Sequence, residues 1–282
     1  MRLEIIAELG SNHGGSLKRA LALVRAAAQA GADTVKFQVF WADTLWRGND
    51  PRHAVTQALE VHMAWIPYLM AEAEECKVNF LATPFDVDAI ETLDNLGAKR
   101  FKIASGDITF APLLDAIARA KKPVLLSTGG ATNSEIESAI GRLRAHDRNL
   151  PITLLHCVSI YPAAPSEMNL PRILDLVDDF VMGSSGISVG LSSHTLAWHV
   201  DLAAISYGLA CIEKHFDLSE YAGVERGHSL LPDEFMKFVS AIRDVEVALT
   251  VPVPYPSLAE EYEKTQARRN PEDWLRPYEK TS

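Results

Sequence analysis

Cysteine is scarce: Cys76, Cys157 and Cys211 are the only three in 282 residues. They are too few and too scattered for a disulfide framework or a cysteine-rich zinc site, so they read as core thiols of a protein from a reducing compartment. Basic residues are in deficit too. Twenty-seven lysines and arginines face 37 acids, for a net charge of -10, which argues against an extended nucleic-acid surface, since that needs a basic stripe to displace counterions. A small anionic substrate is still allowed, because a few local cations can hold it. No apolar run reaches the roughly 18 residues of a membrane span, and no basic, apolar leader precedes the first strand. The glycines after that strand, GSNHGGS, lack the GxGxxG spacing of a dinucleotide-binding turn. These absences point to a soluble, cytoplasmic protein without nucleic-acid or membrane partners.

What is present is alternation. Apolar runs of strand length fall at Leu3 to Leu9, Thr34 to Gln38, Val78 to Thr83, Arg100 to Ser105, Pro123 to Thr128, Ile152 to Cys157, Val189 to Ser192 and Ala210 to His215. Helical stretches follow at Ser16 to Ala30, Pro67 to Cys76, Val87 to Leu96, Ala111 to Ala120, Asn133 to Ala145, Asn169 to Leu176, Leu196 to Gly208 and Pro232 to Leu249. Strict alternation, with strands apolar on both faces, predicts an α/β fold of the TIM (β/α)8 barrel class; an open doubly wound sheet is the competitor. Asn133 with Glu137, and Pro232 with Asp233 and Glu234, look like helix starts. After Leu249 the composition turns to VPVPYPS and then to charge. The expected division is a catalytic barrel over 1–250 and a short tail over 251–282, helical from Leu258 to Arg268 and packed on the barrel or on a partner.

The chemistry of such a barrel belongs to the exits of its strands, and here the exits are polar. They supply Glu8, Ser11, Asn12 and His13; Lys36 and Gln38; Thr83; Lys102, Ser105 and Asp107; Ser127 and Thr128; His156, Ser159 and Tyr161; Ser192 and His194; Lys214 and His215. Lys36 and Lys102 sit in apolar strands, VKF and FKI, where an unpaired ammonium would cost several kcal/mol. Either an anion relieves them, with Thr83, Ser105, Ser127 and Ser192 as hydroxyl donors in a phosphate cradle, or each pairs with Glu8 or Asp107. His194 and His215 leave successive parallel strands at the same edge and could share a divalent metal. Two histidines leave room for water or substrate oxygens, as a Lewis acid needs. Manganese or magnesium suits a phosphate-rich setting better than a closed zinc site, although imidazole tolerates zinc.

The segments AELGSNHGGS, ADTVKFQVF, FLATPFD, FKIASGD, LLSTGG, LLHCVSIYPA, GLSSHT and IEKHF resemble, in order, the landmark motifs of the sialic acid synthase (N-acetylneuraminate synthase) family, over roughly residues 3–250. The resemblance implies a cytoplasmic, homodimeric transferase of carbohydrate biosynthesis. It would condense phosphoenolpyruvate with an N-acylated hexosamine aldehyde, usually N-acetylmannosamine, giving a nonulosonic 2-keto-3-deoxy acid and phosphate. It further implies that His194 and His215 hold Mn2+, with Mg2+ or Co2+ possible, and that Lys36, Thr83, Lys102, Ser105, Ser127 and Ser192 hold phosphoenolpyruvate. Glu8 would act as base near the sugar aldehyde and the attacking water, with Tyr161 and Asp107 touching the sugar. Three positions depart from the pattern, all on the sugar side: Asp107 for glutamate, Ser159 for asparagine, and Glu225, in GVERGHSL, where GPD is usual. Family members also carry a small antifreeze-like domain that caps the partner subunit's site and lends it an arginine. The sequence to Ser282 reaches about where the linker to it would begin, so a shortened chain or a barrel-only form is expected, with Arg268, Arg269, Trp274 and Tyr278 as partial substitutes or surface packing.

Two other functions fit the same residues. A Schiff-base aldolase would use Lys102 or Lys214 as nucleophile. A non-catalytic barrel subunit would keep the fold and no turnover; the polar rim argues against it, because unpaired polar groups are costly without a ligand.

Overall fold

The computed structural model describes residues 2–218, 223–250 and 257–269. Eight parallel strands close into one barrel in chain order: β1 Glu4–Gly10, β2 Thr34–Val39, β3 Asn79–Pro84, β4 Phe101–Ile103, β5 Val124–Ser127, β6 Ile152–Cys157, β7 Ile187–Ser193 and β8 Cys211–His215. The chain is a TIM barrel, and the doubly wound alternative is excluded by the β1 to β8 pairing, Glu8 opposite His215. The chain divides into two compact units, Met1–Glu246 and Val247–Ser282. In the second, a helix at Leu258–Ala267 starts from a Ser257–Glu260 capping box; Trp274 and Tyr278 lie outside the described residues. Among the described residues no helix is long and apolar enough to cross a membrane.

Each strand has one face toward the barrel axis and one toward the helices. Inside, Ile6, Leu81, Leu125, Leu155 and Cys211 make a small separate apolar cluster. Outside, Ile5, Val35, Phe37, Phe101, Leu126 and Leu191 join the large core beneath the helices. In the helix Leu17–Gln29, Ala20, Leu23, Val24 and Ala27 face that core at helical spacing, and the Ser16 hydroxyl caps the start by accepting from Arg19 N–H.

Several helix boundaries differ from the sequence reading for local reasons. The helix Asn133–Leu143 is capped by Thr132, in a reciprocal box with Glu135, rather than by Asn133 with Glu137. The segment expected to be helical from Asn169 begins at Arg172, because Asn169 takes a left-handed backbone (φ 40°) and Pro171 lacks an N–H. The helix expected from Leu196 is His199–Ile205; before it, the Thr195 hydroxyl accepts from Ala197 N–H and holds a turn. Two short helices, Ala42–Leu45 and His53–Gln57, occupy the long connection after β2.

Candidate active site

At the C-terminal ends of the strands lies a cavity of about 300 Å³ lined by Glu8, Lys36, Gln38, Thr83, Lys102, Ser105, Ser127, Tyr161, Ser192, His194, Glu213, His215, Glu225 and His228, with Phe85, Ala104 and Cys157. A larger hollow of about 1110 Å³ opens among the N-terminal ends of the strands, but it contains none of the strand-exit residues, so the smaller cavity is the candidate site.

The floor is an ion-pair network. Lys36 Nζ lies 2.7 Å from Glu8 Oε2 and 3.5 Å from Glu213 Oε2, and donates to Thr83 Oγ1 at 3.0 Å. Lys102 Nζ donates to both Glu213 oxygens, at 3.0 and 3.1 Å. The lysines are thus relieved by carboxylates, and the partner of Lys102 is Glu213, not Asp107. Ser192 Oγ donates to Glu213 Oε1 at 2.9 Å, so its proton is committed to that carboxylate in this arrangement. Ser105 Oγ accepts from Gly129 N–H at 3.0 Å and keeps its own proton to give.

The network is not symmetric. Burial would raise the Glu213 carboxyl, but the two lysines together hold it far below its ordinary value. Burial would lower Lys36, but Glu213 and Glu8 outweigh it and the ammonium is strengthened. Lys102 has only Glu213, and burial with repulsion from Lys36 leaves it lowered. Burial also raises Glu8, helped by Glu213 and opposed by Lys36. Glu8 Oε1 accepts from Gln38 Nε2 at 2.7 Å, and Oε2 lies 2.7 Å from the Lys36 ammonium.

On the rim, His194 and His215 have ring centres 5.3 Å apart. His194 Nδ1–H donates to the Val158 carbonyl at 2.7 Å, and His215 Nδ1–H to Glu225 Oε2 at 2.9 Å. These acceptors fix both tautomers and leave each Nε2 lone pair free, the arrangement that metal-ligating histidines show. Burial, then the neighbouring His215, lowers His194 to about 3, so its ring is neutral at pH 7. Burial would raise Glu225, but His215 and the Ser11 N–H bring it below its ordinary value. The donor set therefore fits a divalent cation. Gly10 makes room for the Glu225 carboxylate: its backbone is left-handed (φ 46°), and a Cβ there would stand 2.1 Å from a Glu225 oxygen.

Not every expected residue reaches the cavity. Asp107 and Ser159 stand outside its lining; a Cβ at position 129 would come within 2.5 Å of Ser159 Oγ and 2.8 Å of Ser105 Oγ, which places Ser159 at the outer rim. Lys214 faces the helices, bonded to Asp201 at 2.8 Å and Ser193 at 2.9 Å, which removes it as a Schiff-base candidate. His156 also faces outward, against the Met168 carbonyl at 2.7 Å. Glu213 and His228 were missed. Glu213 was legible by parity, since a strand with His215 inward must also turn Glu213 inward and Lys214 outward.

Asp107 gives a pH test. Its Oδ2 is buried without a partner, and burial pushes the carboxyl from 3.8 up to about 6. The fold favours the protonated form, so the associated stability is complete below pH 3.8 and is lost as pH rises through about 6. Asp107→Asn should melt like the unsubstituted protein at pH 4 and be more stable at pH 8, by about 2 kcal/mol. Equal melting at both pH values would contradict the burial argument.

A family model described as the NeuB family matches residues 23–253. The N,N'-diacetyllegionaminic acid synthase of Campylobacter jejuni is 38% identical over 261 residues, covering 87% of this chain and 77% of that protein. The spore coat polysaccharide biosynthesis protein SpsE of Bacillus subtilis is 37% identical over 279 residues, covering 93% and 74%. Among solved structures, the N-acetylneuraminic acid (sialic acid) synthetase of Leptospira borgpetersenii, in complex with citrate, matches with a TM-score of 0.84 at 31% identity, covering 96% of this chain and 94% of that one.

Proposed function

The chain belongs to the NeuB family, and on that premise we propose that it condenses phosphoenolpyruvate with an N-acylated hexosamine aldehyde, N-acetylmannosamine or a 2,4-diacetamido hexose, to a nonulosonic acid plus phosphate. That it is a sugar acid synthase follows from its relatives; the acceptor, the metal and the roles below are the proposal. One observation carries it: two buried lysines share Glu213 at the floor of a hydroxyl-lined cavity whose rim bears two tautomer-fixed histidines. The Campylobacter jejuni relative's name supports a diacetylated acceptor. A homodimer belongs to the same reading.

His194 and His215 would hold a divalent ion, manganese foremost with magnesium or cobalt as alternatives, which when bound supplies Lewis-acid polarisation of the aldehyde oxygen. Lys102 and Lys36, with the Thr83, Ser105 and Ser127 hydroxyls, bind the phosphate and carboxylate of phosphoenolpyruvate; an anion there also strengthens the lowered Lys102 ammonium. The enol carbon bonds to the aldehyde carbon, and the electron-poor carbon left behind takes up water. Glu8 Oε2 receives one of the water's protons and returns it to the alkoxide oxygen that the aldehyde has become. The bond from that carbon to the phosphate oxygen then breaks as the new hydroxyl closes to the ketone, its proton leaving with the phosphate, and the lysines stabilise the departing phosphate.

The lowered Lys102 favours a second reading, since a Schiff-base lysine needs a depressed pKa. Borohydride with pyruvate separates the two: the chain's mass should be unchanged, and an adduct on Lys102 would replace the synthase by an aldolase. Calorimetry tests the anion site. Phosphoenolpyruvate should bind the folded protein, and Lys102→Met should weaken it about 100-fold, the loss of a charge-assisted contact of roughly 3 kcal/mol; unchanged binding would remove the floor lysines from the proposal.

A further inference from the structure

We propose that His228 is a third nitrogen donor to the divalent ion, so that the ion is held by three imidazoles, His194, His215 and His228, rather than by the two strand-exit histidines alone. The inference rests on the metal reading above and adds a donor to it.

The geometry has two parts. Among the described residues, His215, Glu225 and His228 form a group whose potential ligand atoms lie within 4.8 Å of one another. Ring centres are 4.5 Å apart for His215 and His228, 5.3 Å for His194 and His215, and 6.4 Å for His194 and His228. An ion about 2.1 Å from a ring nitrogen lies roughly 3.2 Å from that ring's centre, so rings sharing one ion have centres no more than about 6.5 Å apart. All three pairs meet that limit; the longest, His194 and His228, reaches it only with those two rings on opposite sides of the ion, and His194 stands outside the tighter group of ligand atoms.

The second part is how His228 is held. It closes a short 3₁₀ turn, Arg226–His228, in a loop pinned to the β1 exit through Asn12. Asn12 Oδ1 accepts from Glu225 N–H at 2.9 Å, while Asn12 Nδ2 donates to the Phe216 carbonyl at 3.0 Å and to Ser229 Oγ at 3.2 Å. Ser229 Oγ in turn donates to the Glu225 carbonyl at 2.7 Å. Both neighbours of the turn are thereby fixed, and the ring between them faces the cavity. Glu225, bonded to His215 Nδ1 and Ser11 N–H, acts as the group that orients His215. Three neutral nitrogens form a softer set than a magnesium site uses, so cobalt and zinc should outcompete magnesium here.

The competing role for His228 is packing, because Tyr161 lies 5.1 Å away ring to ring. Phenylalanine preserves that contact and removes the nitrogen. The test titrates chelator-treated full-length protein with Co2+, without substrates, following visible absorption and bound metal per chain in wild type, His228→Phe, His228→Ala and His215→Phe. Both His228 variants should lose at least about tenfold in Co2+ affinity, with a changed absorption band, and His215→Phe should lose binding. His228→Ala opens space instead of filling it and carries the comparison if phenylalanine does not fit. Wild-type affinity and spectrum in the His228 variants, with binding lost in His215→Phe, overturns this proposal and leaves two histidines. Retained binding in His215→Phe overturns the metal reading beneath it.

Discussion

Replacing Glu213 with alanine should cost about 4 kcal/mol of folding stability, the scale for removing one partner of a buried ion pair. Glu213 is the sole carboxylate bonded to Lys102 in the floor network and is also within 3.5 Å of Lys36; all three side chains are buried, none more than 4% exposed. Without it, Lys102 must remain an uncompensated cation or shed its proton, whereas Lys36 still has Glu8. Two companion results separate this from simple loss of packing. Inorganic phosphate or phosphoenolpyruvate should restore part of the variant's stability while adding less to wild type, and Lys102→Met in the Glu213→Ala background should recover much of the loss. Because Glu213 is depressed in the folded state, its contribution is present above the ordinary carboxyl range and is lost only as pH falls through the depressed value. The gap between wild type and variant should therefore persist from neutrality well into acid. Urea midpoints read all of this, and a loss under about 1 kcal/mol would mean that water reaches Lys102 freely.

Glu8→Gln should lower turnover about a thousandfold, within the span that general acid–base groups contribute, while phosphoenolpyruvate affinity changes little. Glutamine keeps the size and the contact with Gln38 but cannot take a proton. Oε2 is the atom at stake: it is buried, 2.7 Å from the Lys36 ammonium, and belongs to a carboxyl that burial raises, as a group poised to exchange a proton requires. Parallel calorimetry and single-turnover rates decide the matter. Equal losses in binding and turnover would recast Glu8 as the ion-pair partner that holds Lys36 in place.

The barrel was legible because each strand announces itself as a short run apolar on both faces, and the strand order needs nothing beyond the right-handed β/α crossover. The rim was legible because lysines, histidines and hydroxyls sit where each run ends. What the sequence obscured was direction. Lys214 and His215 are neighbours at one strand exit, but pleating sends them to opposite faces. The same alternation turns Glu213 inward, where it pairs the floor lysines within the protein. His228 lies in a loop with no periodicity to mark it, and only the fold brings it to the histidines from the β7 and β8 exits. The short helices at Ala42–Leu45 and His53–Gln57 gave no signal because neither has a side-chain cap. Asp107 and Ser159 were placed by motif position, and their positions outside the cavity lining depend on loop geometry that motif order does not encode.

The most direct test of the central claim is phosphate release from phosphoenolpyruvate with Mn2+ present, across free aldoses headed by N-acetylmannosamine and 2,4-diacetamido hexoses and including mannose and arabinose. The account predicts release that depends on one N-acylated sugar and stops when metal is chelated. Silence with every sugar, in protein that also fails to bind phosphoenolpyruvate, would contradict it.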